Sequence, residues 1–176
     1  QRPGRLGAFS AKMLALAIFL ILFVVLAFVV GAICSLVVAG LRGATVELPP
    51  FGQLLGAFGA GAIILAVWAS LGVFLATLFR STALAVGLGL FYALALEGII
   101  FNLPIPNESF QNSRQFFLGQ NSGFLADSFA GDGSLPQNFA FPAPEVGATQ
   151  SALVLCAYLL AFVIIAALVF RRRDVA

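Results

Sequence analysis

Four blocks of apolar residues, each long enough to cross a bilayer, constrain the fold of this chain more than any other feature. They cover approximately residues 13–39, 54–79, 83–103 and 151–170, and about 20 apolar residues suffice for one crossing. Because lipid offers no partner for backbone N–H and C=O groups, each block is expected to be an α-helix. The chain is 61% hydrophobic and 9% charged, whereas a soluble domain is about half apolar and about a quarter charged. The sequence therefore predicts an all-α membrane protein, a single transmembrane domain built as a bundle of four transmembrane helices.

The basic residues predict how these helices are oriented. Positive charges near the ends of membrane spans collect on the cytoplasmic side, and four spans place both ends of the chain on one face. Seven of the nine basic residues then share that face, against Arg42 and Arg114 on the other. We therefore expect a multi-pass protein of the plasma (inner) membrane, with both ends of this stretch cytoplasmic and the last three arginines anchored among headgroups. The seven are Arg2, Arg5, Lys12, Arg80, Arg171, Arg172 and Arg173.

A long extracytoplasmic segment, about residues 104–149, separates the third block from the fourth. It is rich in Pro, Asn, Gln, Ser and Gly, and Phe110, Phe117 and Phe124 recur in it every seven residues. This spacing predicts short amphipathic helices that rest at the membrane interface or dip into it, with Asn121 or Ser122 as a helix cap. The aromatic side chains either pack on the outer ends of the helices as a lid or contact a transported species.

Small residues form a row at the start of the second block. Gly52 and Gly56 make a GxxxG pair, which Ala60 continues at the same spacing. Rows of this kind let the backbones of two membrane helices approach closely. We expect a helix-packing contact here, either within the chain or at a subunit interface.

Glu97 is the one ionisable residue well inside an apolar block, about two helical turns below the outer end of the third. A charge at that depth is costly and faces protein or water rather than lipid. Two interpretations follow. The carboxyl group either holds helices together by hydrogen bonds or lines a substrate path, and the first is favoured because a single acid does not make a proton relay.

The residue types present exclude several classes of chemistry. There is no histidine, which removes the Ser-His-Asp and Cys-His kinds of nucleophilic catalysis and the usual zinc sites. A Walker A motif needs a Gly followed by Lys, but Ala11 precedes the single lysine, Lys12. A net charge of +2, distributed in this way, does not suit a nucleic-acid surface. We therefore expect no enzymatic activity, no cofactor and no metal in this chain.

Three segments resemble the membrane subunit of type-2 ATP-binding-cassette (ABC) exporters, specifically its C-terminal two thirds. The first, "RPGRLGAFSAK", resembles the basic stretch that follows the coupling segment of that family, with Arg2, Pro3, Arg5 and Lys12. The second, "LGVFLATLFRSTALAVGLGLFY", resembles its paired spans joined by a Phe-Arg-Ser turn, here residues 79–81. The third, "AALVFRRRDVA", resembles its C-terminal ending, with Phe170, Arg171, Arg172, Arg173 and Asp174.

The resemblance implies a larger assembly. Members of that family have six spans per subunit and two permease subunits per transporter, identical or different, and a separate ATPase subunit binds ATP and Mg²⁺. The first two spans and most of the coupling segment would then precede Gln1. Arg2, Arg5, Lys12 and Arg80 lie on the face where the ATPase would dock, and lipid headgroup contact is the alternative role for each.

Two functional hypotheses from different classes follow. The first is a permease subunit of an ATP-driven ABC transporter, an exporter, that forms the translocation pathway while a partner hydrolyses ATP. The second is a four-span structural or assembly protein that organises other membrane proteins without transport. An intramembrane enzyme is disfavoured, because the chain has neither histidine nor acid clusters.

Overall fold

The computed structural model describes residues 5–44, 48–102, 113, 115–130 and 146–172. Every regular element within these residues is a helix. Five other residues singled out above lie outside the described part of the chain, as do Phe110 and most of the segment 104–149: they are Arg2, Pro3, Arg114, Arg173 and Asp174. Arg5 and Arg172 are described only as positions in their helices.

Six α-helices and one π-helical turn make up the described fold. Helix α1 is the longest, with 38 residues. The third apolar block is a single helical segment in which the π-turn separates α3 from α4. The elements are α1 (Arg5–Arg42), α2 (Phe51–Phe79), α3 (Thr82–Phe91), the π-turn (Tyr92–Leu96), α4 (Glu97–Asn102), α5 (Leu118–Asp127) and α6 (Ala148–Arg172).

Three helices of the described chain are long and apolar enough to cross a membrane. They are Gly7–Arg42, Phe51–Phe79 and Ala148–Arg171. The apolar stretch in the third block, Thr82–Leu96, is shorter. The protein is therefore a helical membrane protein by the length and composition of its helices, and the count of four spans stays a prediction.

Ring contacts establish how the long helices run. Phe28 of α1 packs against Phe58 of α2 with ring centroids 5.8 Å apart, and Phe9 packs against Phe170 of α6 at 5.5 Å. Helix α1 is therefore antiparallel to α6, whose last turn lies beside its first. It is also antiparallel to α2, because Val24 lies beside Gly61, one turn farther along α2 than Phe58. The start of α1, the end of α2 and the end of α6 thus share one end of the bundle, here called the basic end.

A tight turn at the basic end reverses the chain between α2 and α3. Arg80 adopts a left-handed backbone conformation with φ of 54°, and its N–H bonds to the carbonyl oxygen of Ala76. The Ser81 side chain then caps α3 by accepting a hydrogen bond from the N–H of Leu84 at 3.3 Å. A connection this short keeps α2 and α3 in antiparallel contact.

The tightest packing joins α2, α5 and α6. One cluster of buried apolar side chains belongs to these three helices and excludes α1. Helix α1 instead buries only Phe9 and Val24 among its described hydrophobic side chains. Lipid is as apolar as leucine, so an outward-facing apolar surface carries no penalty in a membrane. The cluster consists of Ala60, Val67, Leu118, Leu125 and Leu155.

Candidate functional site

Helix α5 lies inside the bundle, alongside α2. Seven of its ten residues are buried. Ser122 hydrogen-bonds to Trp68 of α2, whereas Phe129, just beyond the C-terminus of α5, contacts Gly56. Trp68 and Gly56 are twelve residues apart, which is about 18 Å along a helix. The N-terminus of α5 is therefore deep in the bundle and its C-terminus points to the end opposite the basic end.

The start of α5 differs from the sequence prediction, which placed the cap at Asn121 or Ser122. The helix begins at Leu118, and its N-cap residue Phe117 makes no capping hydrogen bond through its side chain. Asn121 and Ser122 are buried inside the helix. The prediction was wrong because the capping group comes from another helix, so α5 needs no Ser, Thr, Asp or Asn at its own N-cap.

Glu97 of α4 supplies that cap. The first N–H groups of a helix have no intrahelical partner. In α5, the N–H of Gly119 donates to Glu97 Oε1 at 2.9 Å, and the N–H of Gln120 interacts favourably with the same carboxyl group. The carboxyl oxygens at this position also face the positive end of the helix dipole.

Tyr92 completes the cap. Its hydroxyl group donates to the Glu97 carboxylate and accepts a hydrogen bond from the N–H of Leu118. The N–H of Asn121 already bonds to the carbonyl of Phe117 at 3.1 Å. The N–H groups of Leu118, Gly119 and Asn121 thus have partners, and the Glu97 carboxyl group, with only 6% of the residue exposed, accepts from Gly119 and Tyr92. This set of hydrogen bonds, made by Tyr92 and Glu97 to α5, is called the latch below.

The π-turn explains how two residues five positions apart reach the same helix end. In a regular α-helix such residues point about 140° apart, because each residue rotates by about 100°. The N–H of Glu97 instead bonds to the carbonyl of Tyr92, five residues earlier, and this wider turn brings the two side chains to one side. Single π-turns of this kind often occur at functional sites.

Aromatic and hydroxyl groups from the long helices surround the latch. The Trp68 and Tyr92 rings lie 6.1 Å apart, and Trp68 Nε1 donates to Ser122 Oγ at 3.2 Å. Ser122 Oγ in turn donates to the carbonyl of Leu118 at 2.9 Å. Tyr158 of α6 lies within electrostatic reach of Glu97. Side chains from α2, the π-turn, α4 and α6 therefore converge on one turn of α5.

Two buried side-chain oxygens of α5 and one of α6 have no hydrogen-bond partner in the described part of the chain. They are Gln120 Oε1 and Asn121 Oδ1 of α5 and Ser151 Oγ of α6. The Asn121 amide is paired on its other side, since Nδ2 donates to the carbonyls of Gln115 at 2.7 Å and Phe117 at 2.8 Å. Unpaired buried acceptors lose their hydration without compensation. Helix α5 is thus hydrogen-bonded at its N-terminus, whereas Gln120 and Asn121 each keep one side-chain oxygen unpaired among the described residues.

The predicted row of small residues divides into three environments. A Cβ atom at Gly56 would lie 2.6 Å from Cε1 of Phe129, so this glycine makes room for an aromatic ring. Ala60 is buried in the apolar cluster, while a Cβ at Gly52 would meet nothing within 4 Å. The structure therefore brings Gly56 and Ala60 against the α5 region, and a subunit interface at this row stays a prediction.

Three of the predicted basic contact residues lie at the basic end. Lys12, Arg80 and Arg171 are all exposed there, at the start of α1 and at the ends of α2 and α6. Sequence reasoning identified these residues and Glu97, but it missed Tyr92, Trp68 and the polar residues of α5 as parts of one site. Metal binding has no candidate in the described residues, because no three of their His, Cys, Asp and Glu side chains cluster suitably.

Comparison with known proteins gives one match. A family model described as "Protein of unknown function (DUF2705)" matches residues 5–176, which is almost the whole chain. No curated protein matches the sequence, and no solved structure matches it.

Proposed function

This chain belongs to the DUF2705 family, and we propose that it is the permease subunit of an ATP-driven ABC transporter, an exporter. It forms part of the translocation pathway, and a separate subunit hydrolyses ATP. The proposal places the basic end in the cytoplasm and counts Thr82–Asn102 as a fourth span beside α1, α2 and α6.

The observation that carries the proposal is the convergence of the three family-like segments. In the sequence they are far apart, near residues 5–12, 79–81 and 170–171. In the fold they meet at the basic end, where Phe9 packs on Phe170 and Lys12, Arg80 and Arg171 are exposed. A partner ATPase would find its docking face there. Positive charge of this kind also suits anionic headgroups, which is the competing role of each residue.

On this proposal a partner supplies the energy, and the single lysine of the sequence, Lys12, follows Ala11 rather than the Gly of a Walker A motif. ATP and Mg²⁺ belong to that ATPase subunit, and a second permease subunit completes the transporter. The exposed apolar surface of α1 is available to that subunit or to lipid.

Co-purification tests this proposal. The full-length protein is expected to retain a Walker A-containing subunit during purification in mild detergent. A Lys12→Glu/Arg80→Glu double variant should lose that subunit, whereas Arg42→Glu, at the opposite end of α1, should keep it. No bound ATPase, or equal binding by both variants, would contradict the proposed docking face.

Glu97 has a separate test within this proposal. Its hydrogen bonds to α5 favour the structural interpretation over a place on the substrate path. Glu97→Gln is therefore expected to keep both membrane insertion and transport, because the amide retains an acceptor oxygen. Transport that disappears while insertion stays normal would support the substrate-path interpretation instead.

The alternative, a structural or assembly protein, is favoured by one observation. Only 6% of the most apolar window of α1 is buried, which leaves a long helix free to contact other membrane proteins. On this alternative, the same purification would recover membrane proteins of other kinds and no ATPase. The identity of the bound proteins therefore separates the two functions.

A further inference from the structure

Helix α5 is held in the bundle by different contacts at its two ends. Its N-terminus is fastened by the latch, through hydrogen bonds to Tyr92 and Glu97. Along its length it makes one side-chain hydrogen bond to α2, from Trp68 to Ser122. Beyond its C-terminus, the Phe129 ring rests in the space above Gly56. The latch is therefore the polar attachment at the buried, N-terminal end of α5.

The sides of α5 favour its departure from the bundle. Gln120 and Asn121 are buried, and each has one side-chain oxygen without a partner among the described residues. Water would pair both oxygens if α5 moved outward, so the buried state gives up hydrogen bonds that a hydrated state recovers. The buried apolar side chains Leu118, Phe124 and Leu125 oppose the departure of α5, and the latch adds hydrogen bonds that are lost when its N-terminus leaves.

We propose that α5 is a displaceable plug, which the latch holds in the end of the bundle opposite the basic end. When the latch opens, α5 moves outward and a water-filled cleft replaces it, lined by Trp68, Tyr92 and Glu97. This cleft is polar on the sides that α5 leaves, within a bundle that is otherwise apolar. Tyr92 and Glu97 are positioning residues in this device, because they act through α5. The plug does not depend on the ABC assignment.

Thiol labelling tests the plug directly. In the full-length chain with Cys34→Ala and Cys156→Ala, a single cysteine is introduced as Ser122→Cys, which is nearly isosteric and buried in α5. Open membranes are treated with a charged maleimide, which reacts with thiols that water reaches from either face. Glu97→Ala should raise the labelling rate at position 122 about tenfold or more, because the open population grows when the hydrogen bonds of the latch are lost. Glu97→Gln and Tyr92→Phe, which each keep part of the latch, should raise it less.

Two matched controls separate plug release from unfolding. Ser70→Cys places the same thiol at a buried site in α2, where the residue is 2% exposed, and its labelling should not change in any latch variant. Leu94→Ala, at a 67% exposed position of the π-turn, should leave labelling at position 122 unchanged.

Parental labelling at position 122 in Glu97→Ala would overturn the proposal, and so would a parallel rise at position 70. If Glu97→Ala does not accumulate in membranes, the Glu97→Gln/Tyr92→Phe double variant is judged by the same two outcomes. The assay needs neither an ATPase nor a cargo, so its failure and that of the proposed function are distinguishable.

Discussion

Helix α1 is apolar without interruption from Met13 to Cys34, whereas α5 carries Gln120, Asn121 and Ser122 in succession. In a soluble protein the first would be buried and the second exposed. Here the relation is reversed, since Phe19 of α1 is 64% exposed and Asn121 of α5 is fully buried. Lipid can replace protein around the apolar α1, whereas the polar groups of α5 need protein or water as partners. Burial in this protein therefore does not follow hydrophobicity alone, because α5 buries the polar Asn121 together with the apolar Phe124.

The same substitution in both helices gives the largest expected contrast. Phe124→Ala removes a fully buried ring from α5 and should lower the free energy of unfolding by about 3–5 kcal/mol. Phe19→Ala in α1 removes a ring that faces lipid and should change it by less than about 0.5 kcal/mol. Thermal denaturation of the purified full-length protein in lipid nanodiscs measures both. Equal losses would mean that α1 is packed against protein as tightly as α5.

Substitutions of two buried serines, Ser122 of α5 and Ser151 of α6, test the effect of a single hydrogen bond on stability. Ser122→Ala leaves Trp68 Nε1 without its acceptor and should destabilise the protein by about 1–2 kcal/mol, the range of hydrogen bonds between membrane helices. Ser151→Ala removes a buried hydroxyl that has no partner among the described residues, so it should be neutral or slightly stabilising. The same denaturation midpoints report the difference. A larger loss for Ser151→Ala than for Ser122→Ala would contradict the bonding pattern around α5.

Two glycines of α2 test the seat of Phe129. Replacing a helical glycine by alanine should stabilise by up to about 1 kcal/mol when the site is open, and a Cβ at Gly59 would meet nothing within 4 Å. Gly56→Ala should lack this gain, because its Cβ displaces the Phe129 ring. Unfolding midpoints of the two variants should therefore separate, with Gly59→Ala the higher. Identical midpoints would place Phe129 away from Gly56.

Deletion of Leu94 has the smallest expected effect. Removing one residue from a regular helix rotates everything beyond it by about 100°. In the π-turn, deleting one residue instead leaves Tyr92 and Glu97 four positions apart, the spacing of an ordinary α-helical hydrogen bond. Their side chains then stay on the same side of the helix. The deletion should therefore keep thiol labelling at position 122 near the parental rate, whereas deletion of Leu88 from α3 should raise it. A strong rise on deleting Leu94 would show that the latch does not depend on the π-turn in this way.

The long helices could be predicted from the sequence, because lipid leaves an apolar segment little choice but a helix. The block at 54–79 corresponds to Phe51–Phe79, and the block at 151–170 to Ala148–Arg172. Glu97 was recognisable as a candidate because a charge stands out within an apolar run. These inferences need only the local composition of a segment, and they hold for segments that lipid surrounds.

The arrangement around α5 could not be predicted, because it depends on which helices become neighbours. Tyr92 looks like an ordinary aromatic residue of an apolar helix, and only the π-turn places it beside Glu97. Leu118 begins a helix without a capping residue of its own, which no local pattern indicates. One usable signal was present: a tyrosine near an intramembrane acid suggests a shared hydrogen-bond partner elsewhere in the chain.

Hydrogen exchange of the α5 backbone tests the central claim, the burial of this polar helix, most directly. In the full-length protein in nanodiscs, amides of residues 118–127 should exchange nearly as slowly as those of the middle of α2, since buried and bonded N–H groups open rarely. Glu97→Ala should accelerate exchange in 118–127 and leave α2 unchanged. Rapid exchange of 118–127 in the unmodified protein, at the rate of an exposed loop, would contradict the account.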